Sequence, residues 1–175
     1  MLHVRSMQLD DLSQVLAIDS QSFTLPWPES AYRYELLENT SSFLMVAEIE
    51  QSEVGRLIVG VVVVWMILDE AHIATIAVHP EFRGQGIASR LMVSVMREAI
   101  QLEARLATLE VREQNTAAQR LYQRFGFDIV GRRPRYYKDN LEDALIMTVG
   151  DLDKGYLERL DQDDWANNSA GVGRF

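Results

Sequence analysis

The feature that most constrains the fold is an unbroken apolar run of 12 residues, LIVGVVVVWMIL, from Leu57 to Leu68. This length is too short for a membrane-spanning helix, which needs about 20 residues. The run contains four successive valines, and β-branched residues favour extended backbone. A strand that is apolar at every position must be covered on both of its faces. The run therefore predicts a central strand buried from both sides.

Shorter patterns place this strand in a mixed sheet. Residues 42–50 form a second strand pattern, and the polar turn at 51–56 predicts an antiparallel hairpin between the two. Downstream, a strand at 73–78, an amphipathic helix from Ile87 to about Ala104 and a strand at 107–111 form a βαβ unit, which requires parallel strands. The pattern predicts an α+β fold with helices on both faces of the sheet. The other predicted elements are a strand at 3–7, helices at 12–23, 29–37 and 115–125, and strands at 128–133 and 144–149.

Composition excludes several classes of protein. The chain has 17 basic and 26 acidic residues, a net charge of −9, which disfavours a nucleic-acid partner. It has no cysteine, which excludes a disulfide scaffold, a thiolate metal site and a cysteine nucleophile. The histidines show no metal-ligand spacing, so we expect no metal. The first residues lack the apolar core of a signal peptide, so we expect a cytoplasmic protein without membrane attachment.

The last 25 residues differ in composition from the rest. Residues 151–175 hold six acidic and three basic side chains and end in a stretch, NNSAGVG, with little packing capacity. This composition predicts a short helix followed by a frayed acidic tail. We therefore predict one domain at 1–150 and an acidic C-terminal tail at 151–175.

The most informative segment for function is IAVHPEFRGQGIASRLM, in which a buried strand leads through a glycine-containing loop into a helix. Free backbone N–H groups and the helix dipole make such a junction an anion site. Gly84 and Gly86 allow a ligand to approach the backbone closely. A plain turn with glycines for geometry is the alternative. A Walker loop is absent, and Ser89 stands where a Rossmann fingerprint needs its third glycine.

The loop from Arg83 to Ala88 matches the pattern [QR]-x-x-G-x-[GA] and resembles the pyrophosphate loop of the GNAT acetyltransferases. The segment NTAAQRLYQRFGF is similar to the N-x-x-A-x-x-L-Y-x-x-x-G-F pattern of the same family. The segments LPWP, LDEAHIATIAVHP, TLEVREQN and RRPRYYKDNLEDALIM narrow the likeness to the RimI-like protein N-terminal acetyltransferases. The resemblance covers roughly residues 3–150.

The resemblance implies a GNAT fold, in which a mostly antiparallel sheet contains one parallel pair of strands that splay apart. It implies acetyl-CoA as co-substrate, Glu110 as the general base and Tyr122 as the general acid. The implied acetyl-CoA contacts are Ile76, Ala77, Val78, Arg83, Gly84, Gln85, Gly86, Ile87, Ala88, Ser89 and Asn115. The implied substrate walls are Leu25 and Pro26 on one side and Tyr136 and Tyr137 on the other.

Each of these residue types also has an ordinary structural role. Glu110 could form an ion pair with Arg112 or another arginine, and Tyr122 could be a core aromatic residue. Asn115 could cap its helix while also contacting the coenzyme. Tyr136 and Tyr137 could form an aromatic pair at a strand edge. His72, which shares strand parity with Ala74 and Ile76, favours a hydrogen-bonded structural role over that of a second proton acceptor.

The combined interpretation is an N-acetyltransferase that moves an acetyl group from acetyl-CoA to a protein N-terminal α-amine by direct attack. The expected acceptor is the N-terminal alanine of a ribosomal protein. The alternatives are acetylation of a lysine or a small-molecule amine, a non-catalytic acyl-CoA sensor, and an interaction module that acts through its acidic tail.

Overall fold

The computed structural model describes residues 1–51 and 55–162. The described strands are β1 (Leu2–Ser6), β2 (Ser42–Gln51), β3 (Gly55–Ile67), β4 (Glu70–Val78), β5 (Leu106–Arg112), β6 (Asp128–Arg133) and β7 (Ala144–Val149). The described helices are α1 (Leu12–Ser22), α2 (Glu29–Leu37), α3 (Ile87–Gln101), α4 (Thr116–Arg124) and α5 (Lys154–Gln162). The predicted elements are therefore confirmed, although α3 ends three residues early, before Glu103 with its positive φ of 66°.

The strands form a single sheet in the order β1-β2-β3-β4-β5-β7-β6. Neighbouring strands are antiparallel except β4 and β5, which are parallel and connected through α3. All of the apolar run except Leu68 lies within β3, the third of the seven strands, and the run is exposed at its end, at Ile67 and Leu68. This topology confirms the predicted α+β class with its mostly antiparallel sheet and one parallel pair.

Strand β3 is covered on both faces, as its unbroken apolar sequence predicted. Val62 and Val64 pack into a cluster with the buried side chains of α3, whereas Val61 and Val63 pack with those of α1 and α2. All four valines are 0% exposed. A Cβ placed on Gly60 would lie 3.0 Å from Leu91 Cδ1, so this glycine allows α3 to approach the sheet closely. The close packing sets the position of the loop that precedes α3.

The parallel pair β4–β5 separates part-way along its length. Residues 70–73 of β4 pair with residues 106–109 of β5, and pairing ends at Ile73 and Leu109. On the other side of β4, Val64 pairs with Ile73 but Val63 pairs with Thr75, so Ala74 is an extra residue in a β-bulge. A bulge bends the strand that carries it. The register thus shows the splay that the family resemblance implied.

The bulge also changes which side chains share a face. Alternation along an unbroken strand places His72, Ala74 and Ile76 together, and this part of the sequence interpretation is wrong. The extra residue sends Ile76 to the α3 side of the sheet, while Ala74 packs against the α1–α2 cluster.

Helix α5 lies against the main core. Leu152, Tyr156 and Leu160 are buried in the same cluster as the side chains of α3. The Tyr156 hydroxyl donates a 2.8 Å hydrogen bond to the Phe125 carbonyl oxygen at the end of α4. The predicted short helix is confirmed, but it contributes to the core rather than lying in solvent. The frayed tail and the NNSAGVG stretch, at 163–175, lie outside the described residues.

No helix in the described ranges has both the length and the apolar character needed to cross a membrane.

Candidate active site

The separation of β4 and β5 creates the opening in which the predicted site residues gather. Residues 74–78 of β4 have no register partner on β5, so the backbone groups of Ile76, Ala77 and Val78 on that side are free of the parallel ladder. Buried backbone N–H and C=O groups need hydrogen-bond partners. This edge can therefore bind the amide groups of an extended ligand.

The glycine-containing loop lies at the end of this opened strand. Gly86 is the N-cap of α3 and has a φ of 77°, a left-handed backbone conformation that residues with a Cβ seldom adopt. It offers no side-chain cap, so the N–H groups of Ile87, Ala88 and Ser89 start the helix without one. The backbone geometry matches an anion site at a helix N-terminus.

Arg83 and Gln85 hold the loop in place. Arg83 Nε donates to the Val78 carbonyl oxygen at 3.0 Å, and Arg83 Nη2 donates to Ser22 Oγ at 3.2 Å. Gln85 Nε2 donates to the Glu81 carbonyl oxygen at 3.4 Å. These bonds join the loop to the end of β4 and to α1. Gly84, which lies between Arg83 and Gln85, has a φ of 75°.

Helix α4 carries Asn115 and Tyr122. Asn115 Oδ1 accepts a 3.1 Å hydrogen bond from the Ala118 N–H, which confirms its predicted role as N-cap. Tyr122 is 6% exposed, and its ring centre lies 6.0 Å from that of Phe127. Burial raises the pKa of the Tyr122 phenol, so the group stays protonated at neutral pH and is able to donate a proton.

Glu110 is the first residue of β5 beyond the last pair with β4. Because Leu109 and Val111 point into the core, Glu110 faces the opposite side of the sheet. Its Oε2 lies 2.7 Å from His72 Nε2, and its Oε1 lies 3.3 Å from Arg133 Nε. The hydrogen bond from His72 lowers the pKa of Glu110, burial opposes that effect, and the charge of Arg133 adds to the lowering.

Arg112, the ion-pair partner considered for Glu110 from sequence, binds other acids. Its guanidinium contacts Asp139 at 2.8 Å and Glu142 at 3.1 Å, and it stacks 3.9 Å from the centre of the Tyr137 ring. Tyr136 and Tyr137 pack edge to face with ring centres 5.2 Å apart. Arg112 thus holds the tyrosine wall to the sheet.

The two predicted walls meet. The segment between α1 and α2 carries Leu25, which is 61% exposed, and the neighbouring Pro26. Thr24, the residue before them, lies close enough to Asp139, in the segment between β6 and β7, for its hydroxyl to help lower the pKa of that carboxyl. The two segments therefore form a connected rim.

An aromatic series, which sequence reasoning did not identify, links the Leu25–Pro26 segment to His72. The Trp27 N–H donates to Asp19 Oδ2 at 2.7 Å, and the Trp27 ring stacks on Trp65 with centres 6.2 Å apart. The edge of Trp65 meets the His72 ring with centres 5.5 Å apart. The only sequence signal was a tryptophan in each of LPWP and the apolar run.

The described residues include no group of three or more histidine, cysteine, aspartate or glutamate side chains arranged to hold a metal ion.

Comparison with known proteins agrees with this geometry. The sequence model of the Acetyltransferase (GNAT) family matches residues 12–127. A Bacillus subtilis protein, provisionally named a ribosomal protein bS18-alanine N-acetyltransferase, is 42% identical over 146 residues, 83% of this chain and 93% of that protein.

Two solved structures have the same fold. The ribosomal-protein-S18-alanine N-acetyltransferase from Escherichia coli aligns with a TM-score of 0.76 and 27% identity, covering 86% of this chain and 94% of that one. Ard1 from Thermoplasma volcanium aligns with a TM-score of 0.75 and 27% identity, covering 87% of this chain and 99% of that one.

Proposed function

The chain belongs to the GNAT family and is an acetyl-CoA-dependent N-acetyltransferase, and we propose that it acetylates a protein N-terminal α-amine. The preferred acceptor in this proposal is the N-terminal alanine of a ribosomal protein. The names of the relatives from Bacillus subtilis and Escherichia coli support that choice. Ribosomal proteins act in the cytoplasm, so the proposal places the reaction there.

The observation that carries the proposal is the connected rim. The approach of the Thr24 hydroxyl to the Asp139 carboxyl brings the segment of Leu25 and Pro26 against the segment of Tyr136 and Tyr137. An acceptor must pass this rim to reach the face of the sheet that carries Glu110. A chain terminus can enter end-on, whereas an internal lysine must bring a continuing chain on both sides.

The chemistry of the amine supports the same acceptor. The attacking nitrogen must be neutral, and an α-amine has a pKa near 8 whereas a lysine amine has a pKa near 10.4. At pH 7 the neutral fractions differ by roughly 250-fold. A partly buried carboxylate–imidazole pair is suited to the easier deprotonation.

Acetyl-CoA would be held by the opened edge of β4 and by the loop before α3. Ile76, Ala77 and Val78 offer backbone groups, the 83–89 loop offers N–H groups at a helix N-terminus, and Asn115 lies at the start of α4. Tyr122 is the proposed general acid for the departing thiolate. Glu110, with the His72 imidazole bonded to it, forms the proposed base side.

A pair of peptides tests the acceptor. One has a free N-terminal alanine and no lysine, and the other has the same sequence with a blocked N-terminus and one internal lysine. We expect the free-amine peptide to react at least about tenfold faster, because of its larger neutral fraction. Faster acetylation of the blocked peptide would overturn the N-terminal proposal, and failure of both to release coenzyme A would favour a small amine or a sensor.

The rim can be tested separately with Thr24→Val, which removes the hydroxyl beside Asp139 and keeps the side-chain shape. We expect the KM for the free-amine peptide to rise about threefold to tenfold, in line with the loss of one polar contact. The affinity for acetyl-CoA should not change. Thr40→Val, at an exposed position outside the rim, is the matched control. An unchanged KM in Thr24→Val would show that the rim does not shape the acceptor path.

A further inference from the structure

We propose that His72, through its Nδ1, takes the proton from the attacking amine, and that Glu110 acts as a positioning residue for that imidazole. This inference rests on the proposed amine acetylation and divides the base side of the reaction between two residues. The family resemblance implies Glu110 as the general base and leaves His72 at most a second proton acceptor, so the inference depends on contacts that only the tertiary structure reveals.

Both oxygens of the Glu110 carboxylate are already engaged. Oε2 lies 2.7 Å from His72 Nε2, and Oε1 lies 3.3 Å from the Arg133 guanidinium. A carboxylate that accepts a hydrogen bond from histidine and faces an arginine is stabilised in its ionised form, so its affinity for a further proton is low. Glu110 is therefore poorly placed to be the final proton acceptor.

The same contact determines the tautomer of His72. An ionised carboxylate can only accept hydrogen bonds, so the ring nitrogen that faces it, Nε2, carries the hydrogen. The other nitrogen, Nδ1, then has a lone pair. Among the described residues, His72 makes its hydrogen bond through Nε2 alone, so Nδ1 is available to an incoming amine or a bridging water. A carboxylate that orients an imidazole and stabilises its protonated form is a well-established arrangement for a base.

The position of the ring fits this role. His72 lies opposite Thr108 near the end of the paired part of β4, and Glu110 is the first β5 residue past that part. The Trp65 ring packs edge-on against the imidazole and limits its rotation. The His72 side chain is 22% exposed and the Glu110 side chain 13%, so the pair is sheltered while the imidazole is the more accessible partner.

The charged and titratable groups around the pair come from three elements. Glu110 approaches from β5, Arg133 approaches Glu110 from β6, and Tyr137 is close enough to Glu110 for their charges to interact. Strand β3 contributes the uncharged Trp65 ring. Imidazoles in general titrate near neutral pH and carboxyl groups well below it, so an imidazole is the better matched base at physiological pH.

In the proposed reaction, the amine loses one proton to His72 and the departing sulfur gains one from Tyr122. The neutral amine nitrogen attacks the thioester carbonyl carbon, a C–N bond forms, and the proton lost from that nitrogen moves to His72 Nδ1, giving an imidazolium bonded to Glu110. The C–S bond breaks, and the departing sulfur takes a proton from the Tyr122 hydroxyl. Return of the imidazolium proton to the Tyr122 oxygen through solvent restores both groups.

The dependence of kcat/KM on pH distinguishes the two bases. This ratio reports ionisations of the free enzyme and free substrate. In a plot of log kcat/KM against pH, we expect a slope of two at low pH, where the amine and the imidazole must both lose a proton. At higher pH, where the imidazole is already neutral, we expect a slope of one. His72→Gln should lose about 10²-fold in kcat/KM at pH 7 and show a slope of one throughout. Added imidazole should partly restore activity to His72→Ala.

Glu110→Gln provides the complementary result. The amide can still accept the Nε2 hydrogen bond, but it stabilises the imidazolium less. We therefore expect kcat/KM to fall about tenfold and the change of slope to remain but to move to lower pH. His3→Gln, at an exposed position in β1, is the matched control and should keep the wild-type profile. A slope of one in the wild type, or a slope of two that survives in His72→Gln, would overturn the proposal.

Two experiments test the role of His72 independently of which amine is the acceptor. The same pH series can be run on whichever of the two peptides reacts, so a lysine acceptor would refute the N-terminal proposal and still test His72. Independently of any acceptor, ¹⁵N NMR of the wild-type protein should show the His72 ring protonated at Nε2 at neutral pH. A ring protonated at Nδ1 instead would overturn the proposed role of the His72–Glu110 pair, even if neither peptide were acetylated.

Discussion

The two halves of the sheet use the same strand geometry for different purposes. In the half formed by β1–β4, antiparallel pairing is extensive, and β3 is apolar on both faces. The half formed by β5, β7 and β6 is joined to β4 by only four residue pairs, 70–73 with 106–109. One face of β5 is apolar, while the other carries Thr108, Glu110 and Arg112. We refer to these as the closed half and the open half.

The difference shows how the fold separates stability from chemistry. In the closed half the antiparallel ladders pair the backbone groups with one another, and residues 58–64 of β3 are buried. At the border between the halves, β4 has a bulge at Ala74, and its residues 74–78 have no register partner on β5. Substitutions at the buried positions of β3 should therefore change the free energy of unfolding, whereas those at the opening between β4 and β5 should change binding or turnover.

The largest effect is expected from ending the chain at Gly150. This truncation removes Leu152 together with Tyr156 and Leu160 of α5, all three of which are buried in the main core cluster. Each lost side chain contributes about 1.5–3 kcal/mol of burial, and the sum is comparable with the whole stability of a small domain. We expect the truncated protein to be largely unfolded at 37 °C by circular dichroism. Lys154→Ala, at an exposed position of the same helix, is the control, and a truncated protein with unchanged Tm would show that the open half does not need α5.

Ile58→Ala tests the closed half. Ile58 lies in β3 and is 1% exposed, so its truncation should lower the free energy of unfolding by about 2–5 kcal/mol. The milder Ile58→Val should cost about 0.5–1.5 kcal/mol. Urea unfolding measures both, and kcat at 15 °C should stay within about twofold of the wild type because no active-site group is altered. A loss of turnover without loss of stability would contradict the division between the halves.

Tyr122→Phe is the corresponding test at the opening. Removing the hydroxyl should lower kcat by about 10²-fold or more, since the departing thiolate loses its proton donor. The phenyl ring keeps its packing beside Phe127, so the unfolding free energy should change by less than about 1 kcal/mol. Calorimetry should give an unchanged affinity for acetyl-CoA. Full activity in this variant would exclude Tyr122 as the general acid.

A smaller effect is expected from Gly86→Val, for which the closed half supplies a matched control. Gly86 and Gly55 have φ values of 77° and 80°, so a valine at either position should strain the backbone by about 1–2 kcal/mol. Only Gly86 lies at the N-terminus of α3, where a side chain would meet the pyrophosphate. Calorimetry should show about tenfold weaker coenzyme A binding for Gly86→Val and no change for Gly55→Val. Equal affinities would place the phosphate site elsewhere.

Local patterns in the sequence were sufficient for the elements and for part of the site. The apolar run predicted the buried central strand, the loop at 83–89 predicted a helix N-terminus open to an anion, and Asn115 predicted the start of α4. These features depend on residues close together in the chain, and their physical causes are local. Side-chain branching, backbone conformation at glycine and hydrogen bonding at helix ends act within a few residues.

Only the tertiary structure decided which side chains meet at the opening. The pairing of His72 with Glu110 depends on the parallel register of β4 and β5, and the shift of Ile76 to the other face depends on the bulge at Ala74. The contact of Thr24 with Asp139 joins segments that lie far apart in the chain. No periodicity encodes a register between distant strands, because a slip of one residue would exchange the faces while leaving the sequence pattern unchanged. The sequence by itself determined the elements and the loop before α3, and the register, set by packing of the whole core, determined that His72 meets Glu110.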